Sequence, residues 1–501
     1  MKNLIYLALV LFLFCLTSCE EELNEVPLTT ISPNNFYKSQ SDLELATLGA
    51  IGIHSSLDLY SWGIHYAQTW PAGDYNRGPG DPWENLSFES NWYFSSLLWD
   101  ANYRLINNVN LALDKIDGVQ FDSEEKRNAL VGELHFLRAV SYFDLVRLFG
   151  KVPLHLSPTV DLAGSSLPES EIADVYEAIV SDLKAAESIL DINNAYGDGY
   201  ATKGSAAGLL VKVYVFMAGY PLKDTSKWTM ALEQVKKIVD VGNPSVSASP
   251  YNYYLEPDFQ NLFYLVISPA FSGSGGSGSV TIGQPANENG PEAVYEINFD
   301  QTPGLISSAF PTSVSGLLIK DWLRTYFEDN DYRKEVTMVT TDTDPLGSMF
   351  LEKKFQSTGS TWYDNSNNWP YLRYANLILY LAEAENEVNG PTPLAFSALN
   401  AIRERARKGK NGEPERAVPA DYTTADASTK EEFRQLLYRE RILEFACEGE
   451  NWFDWIRTER LEELLNFQGR SQYYRPRLEF FPKPQSQVTL SNGNISQNTG
   501  Y

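Results

Sequence analysis

Apolar residues recur three and four positions apart over long stretches of this chain, a spacing that predicts helices with one buried face. Leu105, Val109, Ala112 and Ile116 form such a stripe and predict a helix over about 99–116. A second helix is predicted over about 124–149. From Leu134 onward it is apolar nearly all round, the pattern of a helix buried on most sides. Gly150 and Pro153 stop it. Val175, Ile179, Leu183, Ala186 and Leu190 stripe a third helix, over about 171–190. A fourth covers about 204–218 and opens on Gly204, Ser205, Ala206, Ala207 and Gly208, small residues that permit close helix contact. A fifth lies near 228–241.

The middle of the chain changes character. Helical periodicity weakens over 245–364, and the Gly/Ser-rich stretch 272–279 reads as a mobile loop. Val294, Tyr295, Ile297 and Phe299 predict a short strand over 293–299. The helical pattern returns over 371–388, where Tyr374, Leu377, Leu381, Ala384 and Val388 repeat at three and four until Pro391 and Pro393. Two more helices are predicted over 394–407 and 430–448, before a C-terminal tail punctuated by Pro482 and Pro484. Helix pairs joined by short turns point to tetratricopeptide-like packing. The expected fold class is therefore mostly α: a helix-pair scaffold with long irregular loop insertions and few short strands. The scaffold occupies about 99–241 and 371–460. Insertions of this length are usually functional or disordered, which assigns the ligand face to the loop-rich stretches 50–98 and 245–370.

The N-terminus carries a different signal. Lys2 precedes an almost unbroken apolar run from Leu4 to Leu16, too short to span a bilayer. Leu16-Thr17-Ser18-Cys19 closes it, and the stretch resembles a bacterial lipoprotein signal. That resemblance implies removal of residues 1–18 and a lipid on Cys19, followed by a polar, acidic tether over 19–35 and a single domain over 36–501. The plainer alternative is an ordinary cleaved signal with an incidental cysteine. Beyond residue 19 no apolar run is long enough to cross a membrane, so the protein is expected to be anchored rather than spanning.

Composition narrows the function classes. A content of 43% hydrophobic and 13% aromatic residues supplies a large core. The net charge of -25 disfavours nucleic acid and other polyanions. Cys15, Cys19 and Cys447 are the only cysteines, and Cys447 falls in a helix-like stretch, so no disulfide framework or thiolate metal site is expected. His54, His65, His135 and His155 form no paired-ligand motif. No cofactor or metal is expected. The run Glu328, Asp329, Asp331 lacks the glycine and terminal glutamate of an EF-hand loop and reads instead as a solvated helix end before Arg333. Arg439, Glu440, Arg441 and Glu444 read as structural ion pairs on one helix. Trp99, Tyr103, Trp452, Trp455 and Arg457 read as packing anchors.

Several segments together resemble the SusD/RagB family of outer-membrane nutrient-binding lipoproteins. The segment GELHFLRAVSYFDLVRLFGKVPL, from Gly132 to Leu154, is similar to that family's helix ending in a Leu-Phe-Gly-x-Val-Pro turn. YLRYANLILYLAEAENEVNG, from Tyr371 to Gly390, resembles its Arg-Tyr-Ala helix. ALNAIRERAR, RERILEFACEGENWFDWIRTER and the terminal Gln-Asn-x-Gly-Tyr complete the likeness. The resemblance implies four tetratricopeptide-like helix pairs and a place on the extracellular face of the outer membrane. It also implies a role without catalysis, capturing oligosaccharide or polysaccharide for a SusC-like TonB-dependent transporter. An oligopeptide-capturing relative of the same architecture is the alternative.

Sugar recognition needs flat aromatic faces beside planar polar groups that satisfy hydroxyls. Trp70, Tyr75, Trp83 and Trp92 supply rings, and Asp74, Asn76, Arg77, Asn85 and Asn91 supply polar partners, in a Gly/Pro-rich segment that reads as a shaped loop. The bland alternative is that these rings pack the loop onto the scaffold. Trp362 and Tyr363, with Asp364, Asn365, Asn367, Asn368 and Trp369, form a second candidate cluster. Tyr251, Tyr253 and Tyr254 form a third. The acidic balance favours a neutral glycan.

Overall fold

The structure is a computed structural model that describes residues 36–501 except 57, 61, 76–79, 160–163, 165, 264–289, 300–318, 342–348, 353–367 and 410–412. Its frame is a row of helices: α1 Gln40–His54, α2 Tyr93–Lys115, α3 Glu124–Phe149, α4 Ile172–Ile189, α5 Lys203–Ala218, α6 Lys227–Val235, α7 Tyr374–Asn389, α8 Pro393–Lys408 and α9 Lys430–Glu444. Each of the first eight packs on the next, and α9 closes onto α7 and α8. The pairs α1/α2, α3/α4, α5/α6 and α7/α8 make the tetratricopeptide-like scaffold. Because α6 and α7 are neighbours in space but more than 130 residues apart in sequence, the intervening chain must leave the stack and return.

Local chemistry sets the helix ends. The Ser39 hydroxyl accepts from the Asp42 amide while the Asp42 carboxylate accepts from the Ser39 amide, a capping box that opens α1. Ser123 caps α3, and the Thr202/Ser205 and Thr429/Glu432 boxes open α5 and α9. Gly150, at φ +72°, ends α3 in a conformation that a larger residue would strain. Within α3 the buried Arg147 pairs with Asp144 at 2.6 Å and lies over the rings of Phe143 and Phe453, so its charge is not left bare in the core.

The structure revises several boundaries. α1 was not anticipated. Its buried face is Leu43, Thr47, Ala50 and His54, half polar, which hides the stripe. Residues 371–373 are not helix. They belong to β6 (Trp369–Arg373), which pairs antiparallel with β3 (Ala293–Ile297), Ile297 opposite Trp369. α7 starts only after Asn376 Oδ1 accepts from the Arg373 amide at 2.8 Å. The remaining described strands are short: β1 (Val152–Pro153) with β2 (Glu169–Ser170), and β4 (Met338–Thr341) with β5 (Met349–Glu352). α6 stops at Val235, and Val239 instead bridges Ser247 in a turn-rich excursion. α9 stops at Glu444, leaving Cys447 outside a helix, buried and at φ +66°. The small residues opening α5 do permit close approach, of Tyr253 at Gly204 and, at Gly208, of Val294 on β3, Leu372 on β6 and Leu377 on the helix α7.

Arg439, Glu440, Arg441 and Glu444 of α9 hold tertiary rather than intrahelical partners. Glu444 receives Arg373 of β6 and Arg405 of α8, and Glu440 receives Arg333 and Arg403 at 2.6 Å each. Glu292 and Glu448 complete the shell around Arg373, and Arg441 pairs with Asp454 at 2.6 Å. These groups are buried, and such charges persist only when each has partners of opposite sign. The network fastens the returning sheet to α8 and α9. Asp331, expected in a solvated run, is also buried: it caps the short helix Tyr332–Thr337 and pairs with Arg333 at 2.7 Å.

Candidate ligand-binding surface

The aromatic segment 62–94 is not an open loop. It contains the helices Gly63–Thr69 and Pro82–Asn85 and runs directly into α2. Trp70 and Trp83 are each only 4% exposed and Tyr75 is fully buried. Trp83 meets Trp70, Phe88, Trp92 and Phe94 at centroid distances of 5.6, 5.5, 4.5 and 5.1 Å. Such clustered edge contacts are how tryptophans pack a core.

Distant residues lock the segment in place. Arg470 donates to the carbonyls of Pro71, Trp83 and Glu84, and Gln468 donates to that of Ala72. Trp322 Nε1 donates to the Gly73 carbonyl at 2.6 Å. Tyr75 bridges Ile319, and Lys320 pairs with Glu84 at 2.6 Å. The buried Asp74 carboxylate accepts from the Cys447 amide at 3.3 Å and from Asn451 Nδ2 at 3.4 Å. Every one of these contacts makes backbone or carboxylate an internal partner.

The expectation that Trp70, Asp74, Tyr75 and Trp83 face a ligand is therefore corrected. Their surfaces are covered by protein, and a ring must be open on one face to stack on a sugar. Trp92 is half-buried against Trp83 and Phe88, so part of it faces outward. Asn85 is half-buried and Asn91 exposed. Asn76 and Arg77 lie outside the described residues, as do Trp362, Tyr363, Asp364, Asn365 and Asn367 and the Gly/Ser-rich stretch 272–279. Trp369 is buried in β6, and Asn368 is internal, donating to Glu296 and accepting from the Phe299 amide. Tyr251 and Tyr253 line a cleft, with Tyr254 exposed beside them.

The rings that do reach the surface were missed from sequence. Trp62, Tyr66 and Phe94 are partly exposed, and Tyr93 is 60% exposed. Trp62 contacts Tyr66, Tyr93 and Phe94 at 5.5, 6.5 and 5.2 Å, and Tyr66 stacks on Trp70 at 3.5 Å. The buried tryptophans thus form the floor, and Trp62, Tyr66, Trp92, Tyr93 and Phe94 an outer ridge. The available signal was the four-residue spacing of Trp62, Tyr66 and Trp70, which places three rings along one helix face. A ridge of this kind can stack on the C–H face of a pyranose.

Among the described residues no cluster of three His, Cys, Asp or Glu side chains is placed to hold a metal ion. His54 and His65 are buried, and desolvation pulls both down to about 3, so they are neutral structural rings. No helix among the described residues is long and apolar enough to cross a membrane.

Two family models match the chain. The model described as the SusD family covers residues 315–501, and one described as starch-binding, associating with outer membrane, covers 82–215. A curated relative, SusD-like protein P2 of Formosa agariphila, is 25% identical, with 98% of each chain covered. A SusD homolog from Bacteroides thetaiotaomicron superposes with a TM-score of 0.74 at 21% identity, covering 94% of this chain and 98% of its own. Surface glycan-binding protein A from the same organism, solved with laminarihexaose, gives a TM-score of 0.70 at 18% identity, covering 92% of this chain and all of its own. These solved chains share the fold, and the two models match α2 to α5 and α7 to α9 of the scaffold. The chain belongs to the SusD-like family.

Proposed function

We propose that this protein captures a neutral oligosaccharide or polysaccharide at the bacterial cell surface and passes it to a SusC-like TonB-dependent transporter, without chemical turnover. The reading places it on the extracellular face of the outer membrane, anchored through a lipid on Cys19, which lies outside the described residues. The observation that carries it is the outer ridge of partly exposed rings, Trp62, Tyr66, Trp92, Tyr93 and Phe94, on a chain whose structural neighbours include a glycan-binding protein holding laminarihexaose. Trp92 is the sequence-identified residue that belongs to this ridge. Asn76, Arg77, Trp362 and Tyr363 are proposed as the further contacts. A net charge of -25 favours a neutral ligand over an anionic one.

Native affinity electrophoresis of the mature protein through gels carrying single polysaccharides tests the reading. Retardation by at least one neutral glycan, with no shortened products by chromatography after prolonged incubation, is the expected result. Unretarded migration in every gel, or product formation that survives repurification, overturns it.

A further inference from the structure

A cleft of about 390 Å³ opens at the other aromatic cluster, and it shares no lining residue with the 62–94 segment. That volume lies within the range of small-ligand pockets. One wall is the α4–α5 connection, carrying Asn193, Asp198 and Tyr200, and the facing wall carries Tyr251, Asn252 and Tyr253. Both walls are held in place from within. Asn194 donates to the Ala201 carbonyl at 2.8 Å and accepts from the Tyr196 amide at 2.9 Å, fixing the first. Hydrogen bonds from the Ser247 amide to the Tyr253 carbonyl, at 2.8 Å, and from the Leu255 amide to the Ser245 carbonyl, at 2.9 Å, fix the second. Gly204 seats the Tyr253 ring, because a Cβ there would sit 2.0 Å from the Tyr253 hydroxyl. Only glycine lets that ring lie on the start of α5.

The cleft's chemistry is specific. The Tyr251 and Tyr253 rings lie within 13° of parallel with centroids 6.2 Å apart, and Tyr251 is half-exposed toward the cleft. Among the described residues, the side-chain amides of Asn193 and Asn252 are exposed and make no hydrogen bond. The hydroxyls of Tyr200 and Tyr251 are likewise unengaged. No lysine or arginine lines the cleft among the described residues, whereas Asp198 and Glu296 do. A flat ring, unengaged amides and hydroxyls, and acidic walls suit a neutral polyhydroxylated ring and repel an anionic one.

We infer that this cleft is a second saccharide site, taking a neutral sugar unit across the face of Tyr251, with Asn193 and Asn252 meeting its hydroxyls. The inference rests on the glycan reading above. A chain with two separated contacts would grip a long glycan at two points, and linked contacts raise avidity well above either alone.

The test is titration calorimetry of the mature chain with neutral hexasaccharides (laminarihexaose, maltohexaose, cellohexaose and xylohexaose), with a hexagalacturonate arm as the anionic probe. Wild type is compared with Tyr251→Ala and with the double variant Asn193→Ala/Asn252→Ala, all checked for fold by circular dichroism. For a hexasaccharide that binds, both variants should lose one binding component or weaken it tenfold or more, and hexagalacturonate should give no cleft-dependent heat. The double variant removes only exposed amides, so it decides the matter should Tyr251→Ala fail to fold. Unchanged titrations in the folded variants, or hexagalacturonate heat that the variants abolish, overturn the second site and leave the capture function standing. A wild type that takes up none of the five probes overturns both.

Discussion

Arg470 donates to the backbone carbonyl of Trp83 at 3.0 Å, across 387 residues of sequence. The same guanidinium reaches the carbonyls of Pro71 and Glu84, so one side chain fastens two separate stretches of the aromatic segment. A planar fork with five donors can serve several carbonyls at once, and a lysine ammonium cannot span the same spread. Arg470→Ala should therefore destabilise the fold by roughly 3 kcal/mol, since buried carbonyls lose their donors. Arg470→Lys should recover less than half of that. Urea unfolding midpoints measure both, and full recovery by lysine would show that charge alone matters.

The floor and the ridge should respond differently to truncation. Trp83→Ala opens a cavity in the core and should cost about 3–5 kcal/mol of stability. Tyr93→Ala removes a 60% exposed ring and should change stability by no more than about 0.5 kcal/mol. Binding of a retained neutral glycan should weaken by about 1–3 kcal/mol in Tyr93→Ala if the ridge is the stacking surface. Denaturation and calorimetry on the same two proteins separate the roles. Equal loss of stability in both would erase the distinction between floor and ridge.

That division shows what a sequence can and cannot display. The stripes of Leu105, Val109 and Ala112, or Val175, Ile179 and Leu183, are local, and their helices lie where the spacing places them. The helical fold class follows from them. The fate of Trp70 and Trp83 is not local. Glycines and prolines around them read as a loop, and only Arg470, Gln468 and Trp322, hundreds of residues on, convert that loop into core. α1 shows a subtler case: its buried face mixes Thr47 and His54 with Leu43 and Ala50, yet the Ser39-x-x-Asp42 capping box was legible all along. Tyr251 and Tyr253 read as the weakest aromatic group because nothing in the sequence reveals that Gly204 and the 193–200 turn meet them.

The buried ion network makes a sharper energetic prediction. Glu444 faces Arg373, Arg405 and Arg333 with no access to water. Glu444→Gln keeps the shape but leaves those guanidinium groups short of one negative charge. Removing one partner of a buried pair costs about 3–5 kcal/mol. The loss should appear in equilibrium unfolding and should resist added salt, because buried charges are poorly screened. A salt-sensitive effect below about 1 kcal/mol would mean that water reaches the network and that these pairs behave like surface pairs.

Glu133 gives the fold a defined pH dependence. It is fully buried in α3, accepts from the Ala201 amide at 2.6 Å, and has a second oxygen without a hydrogen-bond partner. Desolvation pushes its carboxyl up to about 8, against an ordinary value of 4.5. The native state thus holds this proton over a range where the unfolded chain has released it. Below about 4.5 both states are protonated and the site costs nothing. As pH rises from there toward 8 the unfolded state binds fewer protons than the native one, so stability falls, and above 8 the whole penalty is felt. Glu133→Gln keeps the acceptor for Ala201 and removes the titration. The variant should match wild type near pH 5 and be the more stable by several kcal/mol near pH 8, on the order of 1.4 kcal/mol for each pH unit of the window. Unfolding midpoints at pH 5, 6.5 and 8 measure the difference. A gap that stays constant across the three values would mean that Glu133 is ionised in the fold throughout, and that water or a cation reaches it behind the cleft wall.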